Sequence, residues 1–263
     1  MNAMTMIEPT SIGAEEDAVL KNDGPTVRVT IREIREYAYR SLIAAGASAG
    51  EAATAAGQVL HAELHAGDGL AGLVSDLARG LWPGSGLTCT RRPLGPSVLE
   101  VDCGGRSGEL RAGAPIVDLV CGEDGPAAVA VTAGDVPVSS LLDRVLLTAA
   151  VTAGTSVVAM RADSEGAYVV RLATPAGDLA HGALPAADRR SLSDVECTDD
   201  PHALVVTTGA DVEAVASRLT WCTGDSRAER RRQAALHGVR VDEVTWRTVA
   251  EHAQRFLVPE EDA

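Results

Sequence analysis

Ser97-Val-Leu-Glu-Val-Asp-Cys-Gly-Gly105 is the stretch at which this chain changes period. Its residues alternate as in a strand: Val98, Glu100 and Asp102 fall on one face, Leu99, Val101 and Cys103 on the other. The segment before it cycles as helices do, after a short extended lead-in at Val27-Arg-Val-Thr30. Thr30 and Glu33 form a capping box ahead of an apolar stripe of Ile34, Tyr37, Ala38, Ser41, Leu42 and Ala45, closed by Gly46. Ser48 and Glu51 open a second helix reaching Ala66, which Gly67-Asp-Gly69 breaks. A third spans Leu70 to Leu81 and stops at Trp82-Pro-Gly84.

Beyond the diglycine, the pattern predicts a helix over Gly108–Cys121, a buried strand over Ala127–Thr132 and a helix over Leu141–Ala153. Thr155–Arg161 and Ala167–Ala173 read as a hairpin turning at Asp163-Ser-Glu-Gly166, and Ala203–Thr208 as a further strand. Asp211 is read as the N-cap of a helix to Trp221. A helical tail follows from Arg227 to Leu257, with a break near Gly238. Strands interleaved with helices give an α/β fold with a mixed sheet and helical N- and C-terminal layers. The expected organisation is a disordered tail over 1–25 and one domain over 26–263. Its N-terminal helical layer covers 30–82 and its C-terminal helices 211–257. No GxGxxG follows a strand and no Walker A is present, so a Rossmann or P-loop nucleotide site is unsupported.

With 46% hydrophobic residues in 263, the chain is globular and large enough for a full core. A net charge of −14 argues against nucleic acid as a partner. No apolar run approaches the roughly 20 residues that span a bilayer. The acidic start lacks the pattern of a signal peptide, and the five cysteines show no metal spacing. A cytoplasmic protein with reduced thiols and no metal is expected. Lys21 is the only lysine, which removes Schiff-base catalysis from the folded body.

Three helices, the last broken from the second, and then a strand ending in diglycine resemble the start of the type-2 malate/lactate dehydrogenase family. That family includes ureidoglycolate dehydrogenase and diketogulonate reductase. Gly238-Val-Arg-Val-Asp-Glu-Val-Thr-Trp246 is similar to its C-terminus. The resemblance implies a non-Rossmann α/β fold, a homodimer and a small-molecule substrate. It also implies a histidine acid in an Asp-Ser-His-Gly motif, but here that place is held by Asp68-Gly-Leu-Ala71. The aspartate stays and the histidine does not. The family's Asn-His-Phe-Gly-type turn is replaced by Thr132-Ala-Gly-Asp-Val-Pro137. Such a scaffold also resembles the actinomycete β-carboline-forming Pictet–Spengler cyclases, which join tryptophan to an aldehyde with a glutamate as acid/base.

Glu100 is the acid/base candidate under that resemblance. As a residue it has two readings: one of a solvated pair with Asp102, or a carboxyl in a partly apolar pocket whose pKa burial would raise. Arg79, Arg91 and Arg92 are candidates to fork an amino-acid carboxylate, or else surface arginines. His61 and His65 share a helical face, and His65 is the candidate substrate contact. Asp68 either caps the next helix or orients substrate. Three functions stand open. The first is a cofactor-independent Pictet–Spengler cyclase acting on an amino acid and an aldehyde. The second is an NAD(P)H-dependent reductase of a 2-keto acid or imine. The third is a non-catalytic binding or partner protein of the same fold.

Overall fold

The structure, a computed structural model, describes residues 24–80, 82, 90–93, 98–103, 108–122, 128–133, 136–188, 192 and 203–257. Residues 1–23 of the tail expected over 1–25, the Pro83-Gly84 stop, Gly104-Gly105, Cys89 and Cys197 lie outside them. Both capping boxes form. Thr30 caps α1 (Ile31–Ala44) and Ser48 caps α2 (Ala49–His65), each with its glutamate bonding back to the cap backbone. The third helix, α3, is Gly69–Ala78, shorter than its periodicity suggested. These three pack with the C-terminal helix α7 (Glu243–Gln254) around Ile34, Leu42, Val59, Leu73 and Val249. Burial of each such side chain contributes roughly 1.5–3 kcal/mol, which dominates any capping term.

The first strand, β1 (Thr26–Val29), pairs antiparallel with β10 (Val239–Asp242) in a separate two-stranded sheet. The break expected near Gly238 is therefore a strand, and the helix before it, α6, is Gly224–His237. The reason is local. Gly238 has φ +73°, and a Cβ there would approach the Val29 carbonyl oxygen to 2.9 Å. Val239 and Val241 then supply β-branched alternation.

Among the described residues the main sheet has eight strands, in the order β2-β3-β4-β8-β5-β6-β7-β9. These are Thr90–Pro93, Val98–Asp102, Ala128–Ala133, Leu204–Thr208, Val157–Ala162, Tyr168–Ala173, Leu179–Leu184 and Thr220–Cys222 respectively. Only β3 and β4 run parallel, and the other pairs are antiparallel. Both faces are covered, so β5 reads as a continuous apolar run. Helices α4 (Glu109–Cys121) and α5 (Asp143–Ala153) cover the face carrying Val101, Val157, Ala159 and Val206. Val158, Met160 and Val205 pack on Leu192, Val215 and Leu219 on the other.

Two expectations fail here. Asp211–Trp221 is not a helix: it folds as turns, a 3-10 turn at Ala216–Arg218 and the edge strand β9. Burial of Val215 and Leu219 against the sheet outweighs the helical propensity of the alanines. The C-terminal region 211–257 therefore mixes strands with helices. The third strand of the hairpin run, β7, also emerges; Leu-Ala-His-Gly-Ala-Leu gave little β signal because it has no β-branched residue.

Candidate functional site

The alternation expected at Glu100 is present. Leu99, Val101 and Cys103 face the helices, and Val98 packs on the opposite side. Glu100 stands directly across from Arg92 in the β2–β3 register, and the two form an ion pair. Arg91 is exposed on the same four-residue strand, all of which faces solvent. This is the edge of the sheet, so the arginine expected to hold a substrate carboxylate instead holds the expected acid/base. Arg79 is exposed at the C-cap of α3, where its charge acts on Asp76.

A different set of acids converges where α2, α3, α4 and α5 meet. Gly69 makes the meeting possible. A Cβ there would overlap the Val59 carbonyl and lie 2.6 Å from the Glu63 nitrogen, so only glycine lets α3 start against α2. Asp68 occupies the N-cap position of α3 but makes no side-chain cap bond. Its carboxylate instead accepts from Ser140 Oγ. The cap is supplied by Glu63, whose Oε2 accepts from the Leu70 amide at 2.8 Å. The same exchange recurs at α4. Gly108 has no side chain to cap it, and Asp76 of α3 lies against it and accepts from the Leu110 amide. Carboxylates at helix N-termini complement the helix dipole.

Glu109, the first residue of α4, is 2% exposed. The Ser139 amide donates to its Oε1 at 2.5 Å, and Ser139 Oγ is 2.6 Å from Oε2. Burial is the main cause that pushes the Glu109 pKa up to about 8; the Ser139 bonds oppose it and the Asp76 charge adds to it. Burial likewise raises Asp76 to about 6, and Glu63 upward. Asp143, the first residue of α5, is raised to about 6 by burial against the opposing effect of Arg171, whose Nη1 bonds it at 2.6 Å. Charges of Asp68 and Asp143 also act on one another. The result is a group of buried acids in which Arg171 pairs with Asp143, the charges of Arg79 and Arg227 act on Asp76 and Asp143, and Glu109 keeps its proton at pH 7.

None of Glu63, Asp76, Glu109, Asp143 or Arg171 was singled out from the sequence, although signals were present. Glu63 falls beside Val59 and Leu60 on the buried face of α2. Arg171 interrupts the apolar Tyr168-Val-Val-Arg-Leu-Ala173. His65 lies elsewhere on α2: its ring meets that of His61 edge-on at 4.5 Å between centroids, and its carbonyl accepts from Arg230. Burial, then neighbouring arginine charge, lowers the His65 pKa to about 4; burial, then the His65 charge, takes His61 to about 3. Both rings are neutral at pH 7. Among the described residues no group of three metal-ligating side chains forms, and no helix is long and apolar enough to cross a membrane.

No protein-family model and no curated protein matches the sequence. Solved structures do match in three dimensions. A dehydrogenase from Sinorhizobium meliloti superposes with TM-score 0.61 at 16% identity, over 87% of this chain and 100% of that one. Malate dehydrogenase from Entamoeba histolytica gives 0.59 at 12% identity, over 90% and 100%. Delta1-piperideine-2-carboxylate reductase from Pseudomonas syringae gives 0.52 at 12%, over 86% and 99%. The chain has the mixed α/β fold of the type-2 malate/lactate dehydrogenase structures.

Proposed function

We propose that the protein is an NAD(P)H-dependent reductase of an imine or 2-keto acid in which Glu109, acting through Ser139, supplies the proton. The reading rests on one observation: a buried carboxyl with a pKa of about 8, hydrogen-bonded to a half-buried serine beside α3, the helix that follows Asp68. A group that titrates near neutrality is the acid that such chemistry needs at pH 7. It is supplied here although Leu70, 1% exposed in the core, stands in the motif where the resembling family carries its histidine. The similar fold of a piperideine-carboxylate reductase supports an imine among the substrates.

The acid-rich donor set fits the ring end of a nicotinamide, cationic when oxidised, and fits an iminium; it does not fit the phosphates. Asp68, the exposed acid of the set, would hold that end, and a nicotinamide bound there would supply the hydride. The chain's own residues do the rest. Glu109 stores a proton on its carboxyl, and the 2.6 Å contact lets it donate to Ser139 Oγ once the hydroxyl has passed its own proton outward. The imine nitrogen or keto oxygen takes that proton as its carbon is reduced. Arg171 holds Asp143 ionised beside a neutral Glu109, which divides the charge of the set.

The test is a fluorescence titration with NADPH followed by turnover of cyclic imines and 2-keto acids. Saturable binding with loss of NADPH on substrate addition is expected. No binding at about 1 mM would remove the reading, since nicotinamide enzymes bind far more tightly. The cyclase reading keeps one support, the leucine in the histidine's place, because proton transfer alone needs no cofactor. Mass spectrometry of the protein with tryptophan and an aldehyde separates the two: a condensed product formed without NADPH favours the cyclase. A homodimer and a small-molecule substrate belong to both.

A further inference from the structure

Helices α1, α2 and α6 enclose a groove of about 1120 Å³ well suited to anions. Arg28, Arg32 and Arg35 line it from β1 and α1, and Arg231 from α6. Its one acidic lining residue, Glu36, is held by Arg40 at 2.7 Å. Arg28 donates to the His237 carbonyl, a contact that cancels no charge. Arg32, Arg35 and Arg231 have no carboxylate partner among the described residues. Arg144 adds to the field. It lies against Gly57, where a Cβ would come 2.5 Å from its Cζ, and the charges of Arg35 and Arg231 depress its pKa after burial does. Uncompensated guanidinium groups are gathered here in a chain whose net charge is −14. Like charges repel, so an arrangement of this kind is stabilised by a bound anion.

The shape of the groove narrows the class. A single ion needs only a few tens of Å³, whereas ligand sites for whole small molecules occupy about 300–1,000 Å³. Tyr39, Ala53, Ala56 and Leu60 give the lining an apolar part as well. Arginines contributed by α1 and by α6 suit a chain of phosphates, because each guanidinium forks two oxygens. We propose that this groove binds a polyphosphorylated small molecule with an apolar or planar body, a nucleoside diphosphate in chemical class. The site is separate from the acid cluster, and its test needs no catalytic activity.

Isothermal titration of the full chain with ADP and with inorganic tripolyphosphate, at low ionic strength, tests it. ADP should bind with Kd below about 1 mM and raise the melting temperature, more tightly than tripolyphosphate because the apolar part of the lining takes the nucleoside. Replacing Arg35 and Arg231 together by serine should weaken binding at least about tenfold, as expected for two lost charge-assisted bonds. Arg247→Ser removes an exposed arginine outside the groove and should leave binding unchanged. All three sites are exposed, so the variants should melt as the parent does. Absence of heat and of any melting shift at about 5 mM ligand, far above the expected Kd, overturns the proposal. Equal weakening by Arg247→Ser, or tripolyphosphate binding as tightly as ADP, overturns it as well.

Discussion

Replacing Glu109 by Gln should stabilise the protein at alkaline pH while abolishing turnover. The fold holds this carboxyl in its acid form, moving its pKa from 4.5 to about 8. That displacement corresponds to on the order of 5 kcal/mol favouring the protonated state. Between those values the native state binds a proton that the unfolded chain has released. Stability is therefore fullest below pH 4.5 as far as this group is concerned, and it falls as pH rises through 8. Gln keeps both contacts: its carbonyl accepts from the Ser139 amide and its amide bonds Ser139 Oγ. It carries no titrating proton. From pH 6.5 to 8.5 the parent should lose about 2 kcal/mol that the variant retains. Other shifted groups, Asp76 and Asp143 at about 6 and the histidines at the acid edge of this window among them, are common to parent and variant and largely cancel in the difference between them. Urea unfolding at closely spaced pH values measures the difference. Parallel pH slopes in parent and variant would refute the reasoning, because the carboxyl would then be ionised in the fold.

Ser139→Ala should depress kcat more than KM and shift the alkaline limb of the pH profile; an unchanged profile would exclude the serine from proton transfer. Asp143→Asn should cost about 3–5 kcal/mol by leaving Arg171 buried without its partner, and Arg171→Met in the same chain should restore part of it; chemical denaturation of the three variants reads the coupling. Gly69→Ala drives a methyl into the backbone of α2 and should destabilise by about 1–3 kcal/mol or more, with the melting temperature as readout. Glu100→Gln and Arg92→Ala disrupt a pair whose arginine is 71% exposed, so each should change stability by less than about 1 kcal/mol and leave turnover intact. Loss of turnover in Glu100→Gln with the fold preserved would return the acid/base role to the edge strand.

The N-terminal layer was legible because its determinants are local. Thr30 with Glu33, and Ser48 with Glu51, are pairs three residues apart, and the structure closes both boxes as the spacing required. The alternation around Glu100 was equally local and equally sound. The ion pair that occupies Glu100 depends on a register between two strands, which no single stretch states. The acid cluster is less legible still. Glu63, Asp76, Glu109 and Asp143 come from four different helices, and each alone looks like an ordinary acid on a helix or at its start. Their raised pKa values arise chiefly from burial, a property of the assembly. Asp68 shows the same limit: its position as an N-cap was correctly read, but its side chain serves Ser140 and leaves the cap to Glu63. Val215 and Leu219 mark the reverse failure, where a helix-like composition yielded to a sheet face that only the folded chain provides.

The pairing of β1 with β10 sets the order in which this molecule can assemble. Val29 meets Val239, and Ser41 Oγ of α1 donates to the Val249 carbonyl of α7 at 3.0 Å. Helix α1 is thus covered in part by a helix whose Val249 lies 208 residues beyond Ser41. At roughly 5–20 residues per second, about 10–40 seconds of synthesis separate Ser41 from Val249, and for that time α1 packs on α2 and α3 without its α7 neighbour. Contacts so distant in sequence form late and slowly. Loss of α7 would leave the part of the core closed by Val249 open to water.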